Sequence, residues 1–196
     1  KPHPINVRYI KKFFKNISIS RGIEREALRS NLNGVISKTP HPKSLGSALT
    51  NPFITTDFAE ALIEMVTPTF DTVEGLHSFL ENLDFFVKEN LNDEILWNAS
   101  MPCELGDEKQ IQIAEYGVSN TGRLKNIYRR GLRKRYGSAM QCVSGIHYNF
   151  SLSKKSWQDF LNQNESNQAE IDKAYFGLIR NVKRNYWLIA YLFGAS

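Results

Sequence analysis

The segment between Asp71 and Leu91 constrains this chain more than any other. Val73, Leu76, Phe79, Leu80, Leu83, Phe86, Val87 and Leu91 recur at helical spacing and fall on one stripe. The spacing predicts a helix over 72–91, capped by Asp71 or Thr72, and its stripe must lie against another element. Pro68 ends whatever forms before it. Other segments have period two: residues 19–29 (ISRGIEREALR) and 139–152 (AMQCVSGIHYNFSL) alternate as half-buried strands do. A second helix is expected over 121–136, capped by Asn120 or Thr121 and stopped by Gly137, with Leu124, Ile127, Tyr128 and Leu132 as its apolar stripe. A third is expected over 168–186, with Ala174, Tyr175, Leu178, Ile179, Val182 and Tyr186 turned inward. Residues 33–52, holding Gly34, Gly46, Pro40, Pro42 and Pro52, read as a long loop. Residues 53–66 begin like a strand and become ambiguous, and residues 5–14 read as a short amphipathic helix within a leading segment 1–18. Strands and helices do not alternate regularly, so the expected class is α+β rather than a doubly wound sheet.

With 41% hydrophobic residues in 196, the chain is not expected to be disordered as a whole. The longest apolar run, Trp187–Ala195, is far short of the roughly 20 residues that cross a membrane. No signal-peptide core stands near the start, and because the first residue is Lys1 rather than Met, the translated start is expected to lie elsewhere. The net charge of +5 hides three blocks: +8 over residues 1–56, −12 over 57–108 and +9 over 109–196. An acidic middle third argues against a uniformly basic nucleic-acid binder and suits an enzyme that handles metal ions and a polyanion. Cys103 and Cys142 are too few for a disulfide scaffold and read as reduced thiols in a cytosolic protein. The Asn-x-Ser triplets at Asn16, Asn98, Asn149 and Asn164 read as chance matches.

Four groups of residues carry candidate chemistry. Glu24 and Glu26 lie two apart in a strand and so share a face. Adjacent carboxylates repel unless a cation neutralises them, and Mg²⁺ prefers carboxylate oxygen; the alternative is a solvated face with neighbouring arginines. Asp57, Glu60 and Glu64 form a second acidic set in apolar surroundings, with Glu60 and Glu64 on one face in either a helix or a strand; the alternative is an amphipathic segment with its acids in water. In 139–152, Gln141, Val143, Gly145, His147 and Asn149 share one strand face opposite Met140, Cys142, Ile146, Tyr148 and Phe150, as in a sheet-lined ligand cavity or an ordinary half-exposed strand. Finally, seven of the thirteen residues in 123–135 are basic. Phosphate binding is the sharp reading of that helix and a solvated face the bland one. The chain holds no Walker A, GxGxxG, CxxC, HExxH or GxSxG sequence.

RGIEREALR, GSALTNPFITTDFAEALIEMVTP, NASMPC, EYGVSNTGRLKNIYRRGLRKRYG and MQCVSGIHYNFSL, in this order, resemble the proteobacterial type of glutamate–cysteine ligase, and the trailing YLFGAS fits it too. The resemblance runs from about Ile19 to Ser196. It implies ATP-dependent ligation of L-glutamate to L-cysteine through γ-glutamyl phosphate, giving γ-glutamylcysteine, the first step of glutathione synthesis, in the cytoplasm. It also implies a glutamine-synthetase-like fold, a curved antiparallel sheet forming a funnel with surrounding helices. By resemblance Glu24, Glu26, Asp57, Glu64 and His147 bind Mg²⁺ (or Mn²⁺), while Phe58, Tyr128, Arg129, Leu132 and Gln141 line the amino-acid pocket. The partners implied are glutamate, cysteine and ATP, with neither nucleic acid nor membrane. Family members are considerably longer, so residues 1–196 are expected to be the N-terminal part of one catalytic domain, with an incomplete funnel and little activity alone. The alternatives are a related carboxylate–amine ligase using another amine, and a non-catalytic basic binding module.

Overall fold

The computed structural model describes residues 17–161 and 167–194. The expected helix over 5–14 lies outside them. The chain divides into two compact units, one of residues 20–150 and one of residues 1–19 with 151–196.

The first unit is organised by β1 (Ile19–Asn31), which pairs with β3 (Leu62–Val66), β4 (Glu94–Trp97) and β5 (Ile146–Leu152), while β2 (Ile54–Thr56) extends the sheet beyond β3. Every pairing with a defined register is antiparallel, with Glu26 opposite Glu64, Leu28 opposite both Leu62 and Trp97, and Thr55 opposite Glu64. The ambiguous stretch 53–66 is thus a hairpin: Ala59–Ala61 form its tight turn. The four residues of β4 carry too short an alternation to stand out in the sequence.

Antiparallel pairing sends alternate residues to opposite faces. On one face Ala27, Ile54, Ile63, Met65 and Leu96 pack with Leu83, Val87 and Leu91 from α1 (Val73–Glu89) and just beyond it. Of the expected α1 stripe, Leu76, Leu83, Val87 and Leu91 are buried and Phe79 packs against them, while Val73 and Phe86, at the stripe's edges, are exposed; the Thr72 side chain caps the helix by accepting from the Gly75 N–H. On the other face Leu28 and Leu62 pack with Ile36, Phe58, Ile111, Cys103 and Cys142. This second core covers only one end of its face; the other end carries the acids described below.

The second helix, α2 (Asn120–Tyr136), departs from expectation in two ways. Its cap is Ser119, which accepts from the Gly122 N–H. Its apolar stripe is also not docked: Leu124, Ile127 and Tyr128 are all more than 60% exposed, and Leu132 alone packs against the core. The helix is held instead by polar side chains reaching backbone carbonyls: Asn126 to Ala114, Arg129 to Asp57 and Arg133 to Ile111. Gly122 permits the close approach, since a Cβ there would lie 2.3 Å from the Tyr116 carbonyl oxygen. Gly137, at φ +81°, ends α2 as expected.

In the other unit, α3 (Lys154–Leu161) and α4 (Gln168–Phe193) meet where Trp157 packs edge-on against Tyr175 with ring centroids 4.7 Å apart. The α4 helix continues seven residues past the expected end, and Ile179, Val182 and Tyr186 are exposed rather than turned inward. Among the described residues no helix is long and apolar enough to cross a membrane.

Candidate active site

The acids gather at the open end of the second face of the sheet. Glu26 and Glu64 are direct cross-strand partners, and Glu24 lies two residues back on the same face of β1. Across β1 from β3, the start of β5 reaches the same carboxylates. The Gly145 N–H donates to Glu26 Oε2 at 2.8 Å. The His147 Nδ1 lies 3.3 Å from Glu24 Oε2, and Asn149 Nδ2 donates to Glu24 Oε1 at 3.1 Å. Asp57 follows β2, with its carboxylate 3.8 Å from Arg129 Nη2, while Arg129 Nε donates to the Asp57 carbonyl and its guanidinium lies 4.8 Å over the Tyr116 ring.

This row is short of positive charge. Burial pushes Glu64 up to about 6, and the negative charges of Asp57, Glu26 and Glu24 push the same way, against a smaller opposing effect from Arg129. Burial also raises Glu26; the Gly145 hydrogen bond and His147 pull it down, and Asp57 and Glu24 add to the rise. Four carboxylates and an imidazole, only half-buried and with one fixed cation at their edge, are the donor set a hard divalent ion takes. They form a row rather than a closed shell: among the described residues no three His, Cys, Asp or Glu side chains already converge as a metal centre.

Of the residues singled out in the sequence, Glu24, Glu26, Asp57, Glu64 and His147 are thus brought together. Glu60 is not. It sits in the β2–β3 turn, buried, with its carboxylate accepting from the backbone N–H groups of His41 (2.8 Å) and Glu115 (2.7 Å). The expectation that it shares a face with Glu64 fails because the chain reverses between them. Gln141 does not share a strand face with His147 either. Residues 140–142 form a 3-10 turn after Gly137, and β5 begins only at Ile146, so strand parity does not extend back to 141. Phe58 is fully buried in the second core. Tyr128 and Leu132 lie one turn apart on α2, the first exposed and the second half-buried. Cys103 and Cys142 are free thiols, both buried. Tyr116, whose ring supports Arg129 and whose hydroxyl donates to the Thr56 carbonyl at 2.6 Å, was not singled out in the sequence. An aromatic in a loop carries no periodic signal.

The structure is similar to the solved glutamate–cysteine ligase from Francisella tularensis in complex with AMP: the TM-score is 0.85 at 43% identity, over 92% of this chain and 36% of that one. It is also similar to a bifunctional glutathione synthetase from Pasteurella multocida, with a TM-score of 0.83 at 33% identity, over 96% of this chain and 25% of that one. These likenesses place it among α+β proteins built on an antiparallel sheet of this design. Among curated relatives, the chain is 51% identical to the glutamate–cysteine ligases of Saccharophagus degradans over 182 residues and of Edwardsiella ictaluri over 180. It spans about a third of their length. Residues 8–196 match the glutamate–cysteine ligase family, and the chain belongs to that family.

Proposed function

We propose that residues 1–196 form the N-terminal part of a single catalytic domain that ligates L-glutamate to L-cysteine at the expense of ATP. In this reading ATP phosphorylates the glutamate side-chain carboxylate and the cysteine amine displaces the phosphate, giving γ-glutamylcysteine, the first step of glutathione biosynthesis, in the cytoplasm. Glu24, Glu26, Asp57, Glu64 and His147 hold Mg²⁺ (or Mn²⁺). When bound, the ions supply positive charge against the transferring phosphoryl group. The observation that carries the reading is the row itself: a family member sets three sheet carboxylates side by side with Arg129, at the edge, as the fixed cation among the described residues that acts on them, and its effect is smaller than that of burial and the neighbouring acids.

The chain's own residues have separate tasks. Arg129 ties α2 to the end of β2 and keeps Asp57 beside the row. Tyr128 and Leu132, one turn apart, present an edge of α2 to the cysteine side chain. Phe58 backs the site from the core, and Gln141, on the turn 140–142, keeps the pocket role that the resemblance gives it. The second reading is a related ligase that accepts another amine.

The test is a chimera in which residues 19–194 replace the matching third of one of the half-identical relatives. Cysteine-dependent release of phosphate from ATP and glutamate is expected. A folded chimera without turnover would overturn the proposal, and turnover with other amines but not cysteine would select the second reading.

A further inference from the structure

We propose that Asn149 is a positioning residue for Glu24, an inference that rests on the reading of the acid row as a cation site. Asn149 is exposed on β5, on the strand face opposite the stacked Tyr148 and Phe150 rings, so burial does not fix its side chain. Asn149 is fixed nonetheless: its amide donates to one oxygen of Glu24 while His147 lies against the other. Asparagine is a poor strand former, so its place on β5 has a local cost. A neutral amide offers what a lysine or arginine would not. It orients a carboxylate without neutralising it, which leaves both the charge and lone pairs free for a cation. Gly145 completes the clamp. Its N–H holds Glu26, and a Cβ there would come within 3.0 Å of His147 Nε2 and 3.5 Å of Glu26 Oε2. The start of β5 thus fixes both acids of β1 with a backbone donor, a ring and an amide, and adds only one titratable group.

The test is Mn²⁺ binding to the 196-residue chain, read from free-ion electron paramagnetic resonance alongside the thermal midpoint. Asn149→Leu keeps the size and removes the donor; it is expected to weaken Mn²⁺ binding by roughly 10-fold, as loss of an outer partner of a ligand does. Its midpoint should stay within about 2 °C, because the residue is exposed. Asn149→Gln keeps a donor on a strand with room for one more methylene and should recover most of the loss. Binding by Asn149→Leu within about twofold of the parent, or Asn149→Gln as weak as Asn149→Leu, overturns the proposal. A folded parent chain that binds no Mn²⁺ removes the cation-site reading first and the role of Asn149 with it. A parent that binds beside an unaffected Asn149→Leu removes the role of Asn149 alone.

Discussion

β1 carries two sets of charges, and they are treated in opposite ways. At its C-terminal end Arg29 is fully buried, with Nη1 donating to Thr39 Oγ1 (2.6 Å) and Glu94 Oε2 (2.7 Å) and Nη2 to the carbonyls of Thr39 (2.8 Å) and Glu60 (3.1 Å). Ser37 and Thr39 donate in turn to Glu94 Oε1. A few residues back, Glu24 and Glu26 stand half-buried beside Glu64, with neutral donors, one imidazole and one arginine at the edge. A buried charge whose partners are all internal is part of the structure, because nothing else is needed to balance it. Half-buried like charges without such partners leave a balance that only something outside the chain can supply.

The difference predicts how each region breaks. The largest effect belongs to Arg29. Arg29→Ala strands Glu94 and several buried acceptors, and the cost is about 3–5 kcal/mol; urea unfolding measures it, and a loss below about 1 kcal/mol would contradict the structural role. Glu60 comes next. Glu60→Ala leaves the His41 and Glu115 N–H groups without the carboxylate, at about 1–3 kcal/mol. Because Glu60 is separated from the row by the hairpin turn, Mn²⁺ binding by the folded variant should be unchanged.

How much of this contrast can be read in the sequence depends on how local its cause is. The Glu24-x-Glu26 pair and the α1 stripe are periodic signals, and most of that periodicity survives into the fold, with Val73 and Phe86 the exposed exceptions. The meeting of Glu26 with Glu64 is a matter of register, which no single strand encodes; family resemblance, not spacing, linked them. Arg29 looks like any arginine at the end of a strand, since its partners come from residues 37–39, 60 and 94. Gln141 shows the limit of parity: alternation in 139–152 runs on through a stretch that turns rather than extends. The stripe of α2 fails for another reason. Apolar spacing says that a face seeks cover, and here polar anchors place the helix while Leu124, Ile127 and Tyr128 stay uncovered.

A smaller effect is the pH response of the compensated end. Burial alone would raise Glu94, but the Ser37 and Thr39 hydrogen bonds and the charge of Arg29 outweigh it and hold the carboxyl below its ordinary 4.5. A group with a depressed folded pKa stabilises above its unfolded value and loses that contribution as pH falls through the folded one. The parent should therefore shed stability relative to Glu94→Gln only below about pH 4.5. Equal slopes for the two proteins from pH 7 to 3 would show that Glu94 gains nothing from its partners.

The smallest effect on stability, and the sharpest on binding, belongs to the uncompensated end. Glu64→Gln removes a charge that faces Glu26 across the sheet and keeps the shape of the side chain. Relief of repulsion between half-exposed groups is modest, so the unfolding free energy should rise by no more than about 0.5 kcal/mol, or stay level. Mn²⁺ binding should fall at the same time by at least ~10-fold, because an oxygen donor has gone from the row. The two readouts must move apart. If Glu64→Gln instead costs as much as Arg29→Ala and leaves Mn²⁺ binding intact, the acid row is held together by the protein itself, and the distinction between the two ends of β1 disappears.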